Sequence, residues 1–114
     1  MLLNSMKYKL LKKDAEYFER DGIRGYNYNV KKIEPNSSFI YAELVKPHGK
    51  VRTDKHERVY YIVQGKGIFF INGKKITVKK EDMVIIPPNT DYDYKPLTKT
   101  LKVLLFSEYR SYQK

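Results

Sequence analysis

The sequence contains no cysteine and no long apolar run. Without cysteine, disulfides, thiolate zinc sites and iron–sulfur clusters are excluded. The longest apolar runs, such as residues 103–106, fall far short of the roughly 20 residues that a membrane-spanning helix needs. The apolar start at residues 1–3 gives way at once to Asn4, Ser5 and several lysines, which is not the core of a signal peptide. We therefore expect a cytoplasmic protein with no membrane segment.

Positive charge dominates what the chain does contain. Lysine and arginine total 23 against 13 aspartates and glutamates, so the formal net charge is +10 and the pI is about 9.7. Such a balance attracts anionic partners: phosphates, nucleotides, nucleic acid or an acidic surface. Eleven tyrosines supply amphipathic rings that suit both β-sheets and sites for sugars or bases. A length of 114 residues predicts one globular domain.

The first third of the chain has the weakest structural pattern. Residues 12–20 predict a short helix, with Asp14 as its cap and Gly22 just beyond its end. Turn-forming glycines and asparagines follow. We expect residues 1–37 to form an N-terminal arm that packs on a barrel of residues 38–114 or on a second subunit, the whole chain being one domain.

From residue 39 onward the pattern is one short strand after another. The clearest signal is Asn72-Gly73 between two alternating runs, which is typical of a type I′ hairpin because both turn positions need positive φ. This register pairs Ile71 with Lys74. The predicted core face of the hairpin carries Phe69, Ile71, Ile76 and Val78. Seven or eight short strands with regular turn signals predict an all-β sandwich or barrel.

Two segments resemble the motifs of the cupin superfamily. Residues 59–67, VYYIVQGKG, resemble the end of the family's first motif, a strand closed by a glycine. Residues 81–90, EDMVIIPPNT, resemble the second motif, an apolar strand followed by Pro-Pro-Gly-Thr. The resemblance implies a double-stranded β-helix, which is a jelly-roll barrel of the RmlC-like kind, and commonly a homodimer.

The same resemblance shows which metal ligands are missing. Counting back from Gly65, the family's glutamate position is Arg58, and its paired histidines fall near Arg52 and Asp54. The third histidine corresponds to Tyr92. Because arginine stays protonated and repels a divalent cation, we expect no metal and no other cofactor.

Six residues form the predicted ligand-binding site: Arg52, Asp54, His56, Arg58, Tyr60 and Tyr92. Strand alternation directs Arg58 and Tyr60 into the barrel, and Tyr92 enters from the opposite strand. The loop residues approach the same mouth. A guanidinium there can anchor a carboxylate or phosphate, and the phenols can stack on a sugar or base.

The structural alternatives stay open at this point. Arg58 can instead form a buried ion pair with Asp54, Glu43 or Asp93. His56 is either a general base or an ordinary solvated loop histidine. The lysines around the hairpin could contact nucleic acid, but no nucleic-acid-binding motif accompanies them, and such lysines more often protect a sheet edge from aggregation.

The sequence thus predicts a metal-independent cupin that binds a small polar, anionic ligand such as a sugar phosphate or nucleotide sugar. One alternative, implied by metal-free family members that epimerise nucleotide sugars, is a sugar isomerase or epimerase using Tyr60, Tyr92 and His56 in acid–base catalysis. A second is a non-catalytic interaction or regulatory module whose barrel is filled by its own side chains.

Overall fold

A computed structural model describes residues 9–30 and 37–108, which form ten strands and one 3-10 turn. The turn is Lys12–Asp14, and the strands are β1 Glu16–Arg20, β2 Ile23–Tyr28, β3 Ser37–Leu44, β4 Val51–Arg52, β5 Arg58–Gln64, β6 Lys66–Ile71, β7 Lys74–Lys79, β8 Met83–Ile86, β9 Asp91–Pro96 and β10 Leu101–Glu108. Antiparallel pairing gives a six-stranded sheet, β1-β2-β3-β10-β5-β8, and a four-stranded sheet, β4-β9-β6-β7. This confirms the predicted all-β jelly-roll barrel.

The helix predicted over residues 12–20 is wrong. Only the 3-10 turn forms there, and the rest of the segment is β1, which pairs with β2. Two adjacent aromatic residues, Tyr17 and Phe18, favour an extended conformation. The Phe18 ring lies over Gly25 of β2, where any larger side chain would collide with it. Residues 16–28, predicted as part of an arm, therefore extend the larger sheet by two strands.

The apolar inner faces of the two sheets meet in one core. The larger sheet supplies Ala42, Leu44, Ile62, Val84, Ile86, Leu101 and Val103, and the smaller sheet supplies Phe69, Ile71 and Val78. Along β5 and β6 the buried residues alternate with more exposed ones, as expected for a sheet with one face on the core. Within the described residues, no helix is long and apolar enough to cross a membrane.

The hairpin between β6 and β7 has the predicted register. Asn72 and Gly73 both have positive φ, and Ile71 pairs with Lys74. Phe69, Ile71 and Val78 are buried as expected. Ile76 is exposed instead, because β7 is the edge strand of the smaller sheet.

Gly65 closes the first motif at a point where the backbone leaves no room for a side chain. Its φ is +92°, and a Cβ there would collide with the carbonyl oxygen of Thr100 and approach the Thr98 Oγ1 to 2.7 Å. Gly73 has a similar φ of +83°, but nothing lies within 4 Å of a Cβ placed on it. Both positions impose backbone strain on a larger residue, and of the two only Gly65 adds a steric collision. Comparing substitutions at the two positions therefore separates these two costs.

We expect Gly73→Ala to lower the free energy of unfolding by about 1–2 kcal/mol, the cost of a left-handed alanine. Gly65→Ala should lose that amount and about 1–3 kcal/mol more, because packed backbone must move. Urea unfolding of both variants beside the wild type measures the difference. Equal losses in the two variants would contradict a steric role for Gly65.

Candidate functional site

Two tyrosine hydroxyl groups meet between the sheets. Tyr60 lies on β5 of the larger sheet and Tyr92 on β9 of the smaller one, and their hydroxyl oxygens are 2.6 Å apart. Both side chains are buried, with 1% and 2% exposure. Arg58, two residues before Tyr60 on the same strand, donates a hydrogen bond from Nη1 to the Tyr92 hydroxyl at 2.9 Å. The structure therefore brings together three of the six predicted site residues.

Aromatic rings fill the space beneath this hydroxyl pair. Tyr60 makes edge-to-face contacts with Phe69 and Tyr94, with ring centroids 5.4 and 5.0 Å apart. Phe69 and Tyr94 stack in parallel at 4.6 Å. Burial raises the pKa of Tyr60 well above its usual range and also raises the pKa of Tyr94. Both phenols are consequently neutral at physiological pH.

His48 covers the outer side of the tyrosine cluster, from the loop between β3 and β4. Its ring stacks on that of Tyr94 at 4.8 Å and lies 6.4 Å from that of Tyr92. Its backbone N–H donates to the Tyr94 carbonyl oxygen at 2.8 Å. Its own carbonyl oxygen accepts a hydrogen bond from Arg20 at 3.1 Å. The loop is thus attached to strands of both sheets.

The electrostatic surroundings of His48 favour the neutral imidazole. Burial lowers the pKa of His48, and the positive charges of Arg20 and Arg58 act in the same direction. The Gly49 carbonyl, 2.9 Å from Nδ1, and the carboxylate of Asp93 oppose the shift without reversing it. A neutral imidazole has one donor and one acceptor nitrogen, so it can exchange a proton with a ligand.

Arg58 is half-buried and forms no ion pair with any carboxylate in the part of the chain that the structure describes. The carboxylates proposed as alternative partners have other contacts. Glu43 accepts a hydrogen bond from Tyr41. Asp93 accepts hydrogen bonds from the backbone N–H groups of Gly49 and of Tyr94. The guanidinium charge is therefore directed at a phenol.

The other three predicted site residues lie in or beside the connection between β4 and β5. Arg52 is exposed and pairs with Asp91 at 3.2 Å. The Asp54 carboxylate accepts a hydrogen bond from the His56 backbone N–H at 3.1 Å, which orders the loop. The His56 ring stacks on no aromatic ring among the described residues, unlike that of His48.

Sequence reasoning missed three members of the cluster: Arg20, His48 and Tyr94. Tyr94 could have been found, because it lies two residues after Tyr92 on one strand and so shares its face. His48 is positioned by the loop between the sheets. Arg20 reaches it only because residues 16–20 form a strand, and the sequence predicted a helix there.

The residues at the family's metal positions do not fit a metal ion. Arg58 holds a permanent positive charge at the glutamate position, and the Tyr92 hydroxyl at the histidine position is already hydrogen-bonded to Arg58 and Tyr60. No three His, Asp or Glu side chains of residues 9–30 and 37–108 converge in a group that could hold a metal. The donor set instead suits an anion.

The lowered pKa of His48 makes stability depend on pH. Below about pH 6.5 the unfolded chain binds a proton at this residue more readily than the folded one, so the free energy of unfolding falls as the pH decreases. We expect His48→Gln to lose less stability than the wild type between about pH 7.5 and about pH 5. Urea unfolding at both pH values measures this, with His56→Gln as the control for loss of a histidine elsewhere. If His48→Gln lost as much as the wild type on acidification, His48 would not be the titrating group.

Solved structures of proteins from several organisms share the fold of this chain. Pac13 of Streptomyces, a nucleoside dehydratase, superposes with a TM-score of 0.79 at 23% identity, covering 91% of this chain and 83% of Pac13. Its structures with uridine include two variants in which a tyrosine is replaced by phenylalanine and one in which a histidine is replaced by glutamine. KdgF from Halomonas has a TM-score of 0.74 at 17% identity, over 96% of this chain and all of KdgF. An RmlC-like cupin from Shewanella frigidimarina has a TM-score of 0.76 at 13% identity, over 91% and 92% of the two chains.

Sequence comparison assigns the family. An uncharacterised protein of Methanocaldococcus jannaschii is 40% identical over 55 residues, which cover 45% of this chain and 44% of that relative. The match thus spans less than half of the relative's length. The family model for the cupin domain matches residues 42–107, which include both motifs and most of the barrel. The chain therefore belongs to the cupin family.

Proposed function

We propose that this cupin domain binds a small polar, anionic ligand of the sugar-phosphate or nucleotide type at the mouth of its barrel, with Arg58 as the anchor. The observation that carries the proposal is the half-buried guanidinium of Arg58, whose side-chain partner is the phenol of Tyr92. No described carboxylate neutralises it. A partly desolvated charge without a counterion is costly, and a bound anion removes that cost.

The hydrogen-bonding capacity of Arg58 points the same way. A guanidinium has five N–H donors in a planar fork, and the contact with Tyr92 uses one of them. Paired N–H groups match the oxygen atoms of a phosphate or carboxylate, which can accept two parallel hydrogen bonds. Arginine in this position therefore suits an anion better than a neutral sugar.

The surroundings of Arg58 add positive potential. Arg20 and Arg58 both lower the pKa of His48, and the carboxylate of Asp93 opposes them, so two cationic groups and one anionic group act on this imidazole. The net charge of +10 attracts anions over a longer range and raises their rate of encounter. Tyr60 and Tyr92, at 1% and 2% exposure, lie too deep to stack on a ligand. Their role in the proposed site is to hold the Arg58 guanidinium through the hydrogen bond to Tyr92, which Tyr60 contacts in turn.

The structural relatives favour a ligand with a nucleoside part. Pac13 shares the fold, acts on a nucleoside and has been solved with uridine. Its identity to this chain is low, so the analogy indicates only which compounds to test first. A uridine nucleotide carries both the anion that Arg58 would bind and a polar sugar.

The first experiment compares uridine with uridine 5′-monophosphate in thermal unfolding. A ligand at a hundredfold excess over its Kd stabilises the folded state by about 2.7 kcal/mol. We expect the monophosphate to stabilise the wild type more than uridine does, and Arg58→Met to abolish that difference. The variant should still fold, because Tyr92 keeps its hydrogen bond to Tyr60.

Arg52→Met is the matched control, since Arg52 is exposed and pairs with Asp91. It should keep the full response to phosphate. The proposal fails if Arg58→Met melts normally and still responds fully, or if both variants lose the response equally. Sugar phosphates screened in the same way extend the test beyond nucleotides.

A second candidate function, acid–base catalysis, is favoured by one observation. His48 has a lowered pKa and lies against the rings of Tyr92 and Tyr94. A neutral imidazole can accept a proton from a ligand as a general base. The histidine in this role would be His48, in place of His56 as the sequence suggested. Nucleoside dehydration by Pac13 shows that the fold supports chemistry on such compounds.

Proton exchange with solvent tests this candidate. An isomerase, epimerase or dehydratase that removes a carbon-bound proton incorporates deuterium into a recovered substrate or product in heavy water, which NMR detects. We expect His48→Gln to reduce such incorporation by about 10²–10⁴-fold, the usual contribution of a positioned general base. His56→Gln should leave it unchanged. Equal effects of the two replacements would contradict a specific role for His48.

A further inference from the structure

Two segments hold most of the net positive charge of the chain. Residues 66–80, which include β6 and β7, contain five lysines, and residues 95–102 contain three. Neither segment contains an aspartate or a glutamate, and the formal net charge of the whole chain is +10. Residues 9–30 and 37–44, in contrast, carry five basic and five acidic side chains. The excess charge is therefore concentrated in and beside the smaller sheet.

The strand register places four of these lysines on the outer side of the smaller sheet. Lys66 pairs directly with Lys79, and Lys75 pairs with Phe70. Lys95 pairs with Ile68. Directly paired residues point to the same side of a sheet, and the alternate residues of β6, which are buried, occupy the other side. We call this outer surface the basic face, and its members are Lys66, Ile68, Phe70, Lys75, Thr77, Lys79 and Lys95.

Protection of a sheet edge does not account for the basic face. β7 is an edge strand, and lysines on such a strand discourage pairing with another chain. Lys66 and Lys95, however, lie on β6 and β9, which are inner strands. Lys66 also stands directly opposite Lys79, and like charges in that position are destabilising. Of the four lysines, only Lys79 forms an ion pair within residues 9–30 and 37–108, with Asp82 at 3.6 Å.

The carboxylates on the same side of the sheet do not neutralise these lysines. Asp91 forms an ion pair with Arg52 at 3.2 Å. Asp93 accepts hydrogen bonds from the backbone N–H groups of Gly49 and Tyr94. Both carboxylates lie on β9, the strand that pairs with β4, and are engaged there. The basic face therefore attracts a polyanion.

Apolar side chains in the middle of the basic face indicate which polyanion fits. Ile68 and Phe70 lie on the central strand of the face and are partly exposed. The Lys95 ammonium is 5.9 Å from the centroid of the Phe70 ring. An acidic peptide would need only the charges. An aromatic ring beside lysines also offers a stacking surface to an unpaired base, whereas the bases of a duplex are already stacked on each other.

We propose that the basic face binds single-stranded nucleic acid, with the lysines on its phosphates and Phe70 against a base. Lys75 and Lys79 are four residues apart on β7, so they span about 13 Å along the strand. The connection after β9 lengthens this surface, because its Leu97 N–H donates to the Lys66 carbonyl oxygen at 2.8 Å and Lys99 follows. This site is distinct from the barrel mouth, since Lys95 and its neighbour Tyr94 point to opposite sides of β9.

The test measures binding of a fluorescently labelled oligothymidylate by anisotropy. About 12 nucleotides suffice, since a small β-barrel domain covers roughly 4–16. The variant Lys75→Gln with Lys95→Gln removes two charges from the basic face. Lys13→Gln with Lys55→Gln removes two exposed charges outside it, so both variants have the same net charge. Phe70→Leu removes the ring and keeps an apolar side chain. Circular dichroism and urea unfolding check that each variant folds.

We expect the wild type to bind more weakly as salt rises from about 50 to about 200 mM, and the loss of two phosphate contacts to lower the slope of log K against log salt by about 1.4. Lys13→Gln with Lys55→Gln should keep the wild-type slope, because only contacting charges release counterions from the nucleic acid. Phe70→Leu should keep the slope and weaken binding about five- to hundredfold, the usual effect of losing a stacking ring. Arg58→Met should bind as the wild type does.

Four results would overturn the proposal. The wild type does not bind the oligonucleotide at about 50 mM salt, where electrostatic binding is strong. Both double variants lose the same affinity and slope, which would make the attraction a matter of net charge. Polyglutamate or a DNA duplex competes as well as unlabelled oligothymidylate and Phe70→Leu has no effect, which would indicate an acidic protein or a duplex as partner. Arg58→Met abolishes binding, which would assign the oligonucleotide to the barrel mouth.

Discussion

The contact between the hydroxyl groups of Tyr60 and Tyr92 is the constraint on which the interior of the barrel depends. It joins the two sheets through buried hydroxyl oxygen atoms that lie 2.6 Å apart. One hydroxyl donates to the other and Arg58 donates to that of Tyr92, so both buried oxygen atoms have a hydrogen-bond partner. The hydrogen bond from Arg58 to Tyr92, however, does not cancel the charge of the guanidinium. Because no carboxylate of residues 9–30 and 37–108 pairs with Arg58, its positive charge is uncompensated within that part of the chain.

Most of the barrel could be predicted because its signals are local. Asn72-Gly73 specifies a turn type, the turn type specifies a register, and the register assigns a face to each hairpin residue. The N-terminal strands could not be predicted in this way. β1 has no buried residue, so no alternation marks it, and its stability comes from pairing with β2 and from the contact of Phe18 with Gly25. Such contacts are invisible until the fold brings the strands together.

The candidate site likewise contains residues on strands, whose positions could be predicted, and residues in loops, whose positions could not. Alternation within β5 and β9 brought Arg58, Tyr60 and Tyr92 together correctly, because strand geometry fixes which side chains share a face. The connection between β4 and β5 follows no such rule, and Arg52, at the end of β4, pairs with Asp91 instead. His48 entered the cluster through a loop whose path depends on both sheets. Strand positions are predictable from spacing, whereas loop positions depend on the completed fold.

The hydrogen bond from Arg20 to the His48 carbonyl oxygen links the mouth of the barrel to the edge of the larger sheet. β1 is an edge strand with every residue exposed, the kind of element that opens locally at a small cost in free energy. Each opening of the β1–β2 hairpin breaks that hydrogen bond, and the loop that carries His48 is then held by its hydrogen bonds to Tyr94 and Asp93 of the smaller sheet. The order of this loop is therefore coupled in part to an exposed edge strand. An anion held at the mouth would slow amide exchange in β1, so a strand at the sheet edge reports on what the barrel holds.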